Sequence, residues 1–269
     1  MTIRHTRILE ALTRSQKMEV TTLAEMLEVS QVTVRKDLDH LEGRGLICRE
    51  HGYACLNGSD DIGKRMAFHY DIKKRIAHAA AETIEDGETV MIESGSCCAL
   101  LAEELANKKR EVTIVTNSVF IANHVRFASN VKIILLGGYY QGESQVLVGP
   151  MTRKSAEVFF SDKFFIGTDG FANNFGFTGN NHQRTQTIQD LAEQAHQIVV
   201  LTESKKFFHQ GVIGLVRAED VDAVYTDEGI PRETENFLRE KNVAVHKVAE
   251  FSEWEMKASC REKETSYTN

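Results

Sequence analysis

Seven apolar runs of strand length recur along the C-terminal two-thirds of this chain: Thr89 to Ile92, Val112 to Thr116, Val131 to Leu136, Lys163 to Gly167, Ile198 to Thr202, Ala223 to Thr226 and Val243 to His246. Stretches of helical character lie between most of them, notably Cys98 to Ala106, Val119 to Arg126, Gln183 to Ala195 and Arg232 to Glu240. Buried apolar strands separated by helices predict an α/β fold with a largely parallel sheet covered on both faces. Ligands of such sheets bind beyond the carboxyl ends of the strands.

The first 57 residues follow another pattern. Ile3, Arg7, Ile8, Ala11 and Leu12 begin a helix, Ser15-Gln16-Lys17 turns, and Thr21 or Thr22 can cap a second helix carrying Leu23, Ala24 and Leu27. Val29-Ser30 breaks it. Ser30 then caps a third helix, Gln31 to Glu42, closed by Gly43 or Gly45. Three short helices with a tight turn before the last form the helix-turn-helix pattern. Turned at the helical period, the third helix places Val34, Leu38 and Leu41 on one stripe, which must pack inward. Val32 and Lys36 point away from it, flanked by Thr33 and Arg35. A recognition helix needs this division, because one face enters the major groove while the other holds the domain together. Arg35 and Lys36 can donate to guanine edges or phosphates, Gln31 to adenine edges or backbone, and Val32 can meet a thymine methyl. Two strand-like runs follow, Leu46 to His51 and Tyr53 to Leu56, around a glycine turn at Gly52. They read as a β-wing whose Arg49 and His51 would contact a flanking phosphate or minor groove.

Charge bears on this reading only locally. The chain as a whole carries −7, which argues against a nonspecific nucleic-acid coat. Residues 1–57 hold eight Lys/Arg and eight Asp/Glu, so DNA binding there must come from the placement of a few cations.

Asn57-Gly58-Ser59-Asp60-Asp61 is the natural boundary between the two patterns. We therefore expect a winged helix-turn-helix domain over 1–57, a linker over 58–70, a larger, mostly parallel α/β effector-sensing domain over 71–250 and a tail over 251–269. Residues 64–70 have mixed character and receive no assignment; a helix is expected from Asp71 to about Glu85. Five cysteines without a C-x-x-C pair suggest reduced thiols, with no disulfide framework and no zinc site. The apolar runs are too short to span a bilayer and no signal-peptide core opens the chain, so a cytoplasmic protein without membrane contact is expected.

The strand ends of the larger domain carry the candidate effector chemistry. The first run leads into Glu93-Ser94-Gly95-Ser96-Cys97 and a helix, a turn whose amides can hold a phosphate. The second ends in Thr116-Asn117-Ser118, the third in Gly137-Gly138, and the fourth in Gly167-Thr168-Asp169-Gly170, all small or polar where backbone approaches a ligand. No G-x-G-x-x-G or Walker A motif is present, so no nucleotide cofactor is expected.

Residues 30–41, Ser-Gln-Val-Thr-Val-Arg-Lys-Asp-Leu-Asp-His-Leu, with Arg49-Glu-His-Gly-Tyr-Ala, resemble the signature of the DeoR family of bacterial sugar-operon regulators. Two departures stand out, Lys36 where the family usually has a second Arg and Tyr53 where it has a second Gly. Lysine offers a point charge in place of a bidentate fork. The resemblance continues to about Val248 and implies an effector domain related in fold to ribose-5-phosphate isomerase and glucosamine-6-phosphate deaminase. On it, the family's phosphate loop falls on 93–97, its Thr-Asn-Ser on 116–118, its Gly-Gly on 137 and 138, its Asp-Lys strand on Asp162-Lys163 and its Gly-x-x-Gly segment on 167–170. Its Asp-x-Ser-Lys-Phe segment falls on Glu203-Ser204-Lys205-Lys206-Phe207, which makes Lys206 the candidate cation near the ligand. Gln183-Arg184 and Ile188-Gln189 stand where the family carries an acidic residue and a Lys-Arg pair, Glu93 replaces an Asp, and Cys97 replaces a Thr. The expected function is repression of a carbohydrate-utilisation operon by a homodimer or homotetramer on operator DNA, modulated by a small phosphorylated sugar or polyol. The alternatives are an isomerase or deaminase with Asp169 or Glu93 as general base, and a DNA binder that senses no ligand.

Overall fold

The protein is described by a computed structural model over residues 3–50, 52–56 and 62–249. The N-terminal unit comprises α1 (Ile3–Ser15), β1 (Lys17–Glu19), α2 (Val20–Leu27), α3 (Gln31–Gly43), β2 (Cys48–Glu50) and β3 (Tyr53–Cys55). Ser30 caps α3 by accepting the Thr33 amide, as its hydroxyl and position predict. Gly45, at φ +71°, takes the left-handed turn that closes this helix. The Thr21 and Thr22 caps expected for the second helix are replaced by Glu19, because the chain from Lys17 to Glu19 is a strand. That strand pairs antiparallel with β3, Met18 opposite Ala54, and makes the wing three-stranded in the order β1-β3-β2. Three residues are too few for a period-2 pattern to show.

The tertiary glue of this unit is apolar and ionic. Ile8, Leu9, Leu12, Leu23, Val34, Leu38 and Leu41 are buried together. Asp37, on the inner face of α3, accepts from the Arg4 guanidinium of α1 (2.9 Å for Nη2), and His5 Nε2 lies 3.0 Å from the same carboxylate. Burial lowers the His5 pKa, with Asp37 opposing.

Residues 62–67 form α4 (Ile62–Ala67), followed by α5 (Tyr70–Ala81), so the segment left unassigned in the sequence is helical. Ile62, Met66 and Ala67 of α4 belong to one continuous core with the N-terminal unit and with α5. The larger unit continues with β4 (Thr89–Ile92), α6 (Ser96–Lys108), β5 (Val112–Thr116), α7 (Val119–His124), β6 (Val131–Leu135), β7 (Tyr139–Gln141), β8 (Val146–Val148), α8 (Pro150–Ala156) and β9 (Ser161–Ile166). After these come β10 (Gly170–Ala172), β11 (Gly176–Gly179), α9 (His182–Ala192), β12 (Ala195–Leu201), a 3-10 turn (Ser204–Phe208), β13 (Ile213–Arg217), β14 (Ala223–Asp227), α10 (Arg232–Glu240) and β15 (Ala244–Val248).

All seven apolar runs join one parallel sheet, β15-β14-β12-β9-β4-β5-β6. Alternate strand residues feed two cores: Val90, Ile92 and Phe165 face α5 and α6, while Met91, Phe164 and Ile166 face Ile188 and Leu191 of α9 and Leu238 of α10. The chain leaves β4 for β5 and β6 on one side and returns through β9 to β12, β14 and β15 on the other. The order therefore reverses between β4 and β9, where the strand-end loops diverge and leave a crevice. Unforeseen in the sequence are the hairpin β7–β8, helix α8 and the antiparallel sheet β10-β11-β13. Among the described residues no helix is long and apolar enough to cross a membrane.

Candidate functional site

The outer face of α3 carries the residues expected from the sequence to read DNA. Gln31, Val32, Arg35 and Lys36 are exposed and Thr33 is half-buried, while Val34, Asp37, Leu38 and Leu41 turn inward. Val32 is 61% exposed on this face. Thr33 has a local task, its hydroxyl 2.9 Å from that of Ser30 in the cap. Arg49 of the wing pairs with Asp39 on α3, so it braces wing against helix. His51 lies outside the described residues, as do residues 57–61 of the expected linker and the tail 251–269.

The second site lies at the crevice. A cavity of about 290 Å³ opens over the carboxyl ends of β4, β9 and β12 and is walled by Glu93, Gly95, Ser96, Cys97, Asp169 and Lys206 among the residues singled out in the sequence. Gly95 precedes the 13-residue α6 without a side-chain cap, and the first residues of the helix, Ser96 and Cys97, line the cavity. Glu93 shapes that loop. Its Oε2 accepts from the Gly95 amide (2.7 Å) and the Gly167 amide (3.1 Å), and its Oε1 accepts from the Ser94 hydroxyl (2.9 Å), which ties the ends of β4 and β9 together. A Cβ at 95 would come within 2.9 Å of this carboxylate and 3.3 Å of the Gly167 Cα, so a side chain there would displace Glu93 from its hydrogen bonds. Asp169 accepts the Asn180 amide at 2.9 Å. Burial pushes the Cys97 thiol up to about 12, so it sits in the wall as a neutral group.

Thr116, Asn117, Gly137, Gly138 and Asp162 are not in this wall. The Thr116 hydroxyl donates to the Ile92 carbonyl at 2.6 Å, and Asn117 Nδ2 donates to the Leu147 carbonyl at 2.9 Å, anchoring the β7–β8 hairpin. A Cβ at Gly138 would stand 2.0 Å from Thr152 Oγ1, so this glycine lets the hairpin pack on α8. These residues follow β5 and β6, beyond the crevice, where the loops serve packing. Asp162 is exposed at the amino end of β9, the opposite edge of the sheet.

Charged residues absent from the sequence-based set also line the wall, among them Lys73, Arg184, Glu203 and Lys205. Lys73 is buried on the inner face of α5; its ammonium donates to the carbonyls of Arg65 and Phe68 (2.6 Å for Phe68) and lies 3.4 Å from Glu203. Burial lowers its pKa and Glu203 opposes this. Lys205 is 3.1 Å from the same carboxylate and 3.4 Å above the centre of the Phe68 ring. Signals for them existed. Lys73 occupies the apolar stripe Tyr70, Ile76, Ala77, Ala80, and Glu203 comes two residues after the buried end of β12, much as Glu93 follows β4.

Comparison with known proteins finds two family domains along the chain. Residues 4–60 match the DeoR-like helix-turn-helix domain and residues 68–228 match the DeoR C terminal sensor domain. The chain is 28% identical over 253 residues to a putative aga operon transcriptional repressor of Escherichia coli O157:H7, covering 92% of this chain and 94% of that one. It is 29% identical over 233 residues to the glycerol-3-phosphate regulon repressor of Escherichia coli K12, covering 86% and 92%. Among solved structures, ribose 5-phosphate isomerase from Plasmodium falciparum is a distant likeness, at 15% identity, a TM-score of 0.38 and coverage of 51% of this chain and 52% of that one. With a reading head and a sensor matched in turn along its length, the chain belongs to the DeoR family of DNA-binding transcriptional regulators.

Proposed function

We propose that this protein represses a carbohydrate-utilisation operon, and that a small phosphorylated sugar or related polyol in the crevice between β4 and β9 alters its hold on operator DNA. The observation that carries this reading is the uncapped start of α6 at Gly95–Cys97, opening beside Lys206 into a cavity at the point where the strand order reverses. Helix amides and a cation suit a phosphate monoester there. On the DNA side, exposed Gln31, Val32, Arg35 and Lys36 supply groups for base edges and phosphates, with Arg49 bracing the wing. Paired heads on repeated half-sites require a homodimer or a higher even assembly. The names of the two relatives, a putative aga operon transcriptional repressor and a glycerol-3-phosphate regulon repressor, support the same reading.

An isomerase or deaminase needs a carboxylate free to take a proton. Glu93 spends its oxygens on Ser94, Gly95 and Gly167, which counts against that role for it. The test is DNA footprinting on the protein's own upstream region, with and without a panel of sugar phosphates and polyols. A paired-half-site footprint that one phosphorylated sugar weakens is expected. A footprint unchanged by every compound at millimolar concentration would leave a DNA binder that senses no ligand.

A further inference from the structure

The wing of the N-terminal unit carries two cysteines that its strands set face to face. Cys48 on β2 and Cys55 on β3 are register partners in the antiparallel pair, which closes through Arg49 opposite Ala54 and Glu50 opposite Tyr53. Directly opposed residues of an antiparallel pair stand about 4.5 or 5.5 Å apart at Cα, and both separations fall within the window of about 4.4–6.8 Å that a disulfide spans. The two side chains share one face of the ladder. Cys48 donates its S–H toward the Cys55 carbonyl (3.4 Å), and Cys55 donates toward the Cys48 carbonyl (3.3 Å). Both are free thiols. Burial, and after it the facing Cys55 thiol, push Cys48 up to about 12, so at neutral pH Cys48 keeps its proton and the two sulfurs bear on each other directly.

Strand alternation decides what the pair can move. Arg49, next to Cys48 on β2, faces the other way and pairs with Asp39 of α3, and Ala54 opposite it is sealed in the core. The cysteines therefore lie on the face of the wing turned away from α3. Cys48 is half-buried, within reach of a small reagent, and Cys55 is buried behind it. A disulfide holds its Cβ atoms about 3.5–4.5 Å apart, against about 4.5–5.5 Å for opposed residues of a ladder. Closing the bond draws that face together by roughly 1 Å. The contraction twists β2 against β3 and turns Arg49, on the opposite face, relative to Asp39.

We infer that Cys48 and Cys55 are a reversible dithiol–disulfide pair, oxidised by exchange with a low-molecular-weight disulfide, and that the cross-linked wing holds operator DNA more weakly. The switch rests on the DNA-reading proposal above and gives the same head a second input, independent of the crevice. In the exchange one thiol gives its proton to solvent and attacks a sulfur of the reagent, whose S–S bond breaks and releases one thiolate. The second protein sulfur, its proton also lost, then attacks the mixed disulfide; the S–S bond between Cys48 and Cys55 forms and the second reagent thiolate leaves. The protein pair loses two electrons, the reagent gains them, and the two protons end on the two reagent thiols. Only a thiolate attacks, so the proton retained on Cys48 makes the exchange slow, and the pair answers sustained oxidation.

The test equilibrates the full chain for hours with mixtures of oxidised and reduced glutathione, then quenches with acid, alkylates and digests with trypsin. Cleavage after Arg44, Arg49 and Lys64 should give peptides 45–49 and 50–64 joined by one disulfide, and dithiothreitol should separate them. Fluorescence anisotropy on a fragment of the protein's own upstream region should show the oxidised protein binding at least about fivefold more weakly, equivalent to about 1 kcal/mol, with recovery on reduction. Cys48→Ser and Cys55→Ala, measured separately, should bind as the reduced parent does and lose the response to oxidised glutathione. A response that persists in both variants comes from another cysteine and overturns the assignment, as does a digest in which Cys48 and Cys55 carry only glutathione or alkyl groups. A linked wing whose DNA affinity is unchanged overturns the switch. If the reduced protein binds no DNA, the DNA reading falls and the switch with it, while the linked peptides still report the thiol pair.

Discussion

Replacing Glu103 by Gln should loosen the junction between head and sensor in a way that depends on pH. Arg44 caps the carboxyl end of α3 and pairs with Glu103 on α6, while His124 Nε2, at the end of α7, lies 3.0 Å from the same carboxylate and 3.2 Å from the guanidinium. Burial opposes the charge on Glu103, but the His124 hydrogen bond and the Arg44 charge outweigh it and hold the carboxyl at about 2, against an ordinary 4.5. The side chain is only 20% exposed, so solvent screening removes little of the effect. Linkage converts that depression into about 3 kcal/mol of stability. Because the folded pKa is the lower one, the stabilisation is complete above about 4.5 and is lost as pH falls through about 2. Urea unfolding, chosen over guanidinium to avoid ionic screening, should show Glu103→Gln less stable than the parent by up to about 3 kcal/mol at pH 7. The gap should narrow below about pH 4 and close only as pH falls below about 2, where Glu103 becomes neutral in the folded protein. A gap of equal size at pH 3 and pH 7, or none at pH 7, would refute the assigned role of the ion pair.

Other outcomes follow from the two sites. Lys36→Ala should weaken operator binding and reduce the slope of log affinity against log salt by about 1; an unchanged slope in fluorescence anisotropy titrations means that Lys36 does not reach a phosphate. Gly138→Ala should cost about 1–3 kcal/mol in thermal unfolding, since the new methyl meets Thr152 Oγ1 and the Val148 carbonyl at 3.0 Å. Its effector affinity should stay near that of the parent, and a selective loss of ligand binding would return Gly138 to the site. Burial holds the Cys97 thiol at about 12, so iodoacetamide at pH 8 should label it far more slowly in the folded protein than in urea, by peptide mass spectrometry. Rapid labelling of the folded form would show an opening of the cavity wall that the structure does not contain.

Periodicity and caps alone determined a good deal. The seven apolar runs, the parallel sheet, the inward stripe Val34, Leu38 and Leu41 and the Ser30 cap all follow from local rules, because burial on both faces and helical spacing are written into neighbouring residues. The strand-end loops at Glu93–Cys97 and Asp169 were legible for the same reason. What local rules could not decide was which strand ends share a crevice. That depends on strand order, and the reversal between β4 and β9 gathers residues 93–97, 167–169 and 203–206 while sending Thr116, Asn117, Gly137 and Gly138 to the hairpin side. Nor could they show that Lys64, Arg65 and Lys73 reach the cavity, since a lysine on an apolar stripe finds its partner Glu203 only through a contact across 130 positions. Local sequence thus specified the strands of the main sheet and the exposed face of α3, and tertiary packing alone joined the N-terminal unit to the cavity, because that union rests on long-range burial and charge pairing.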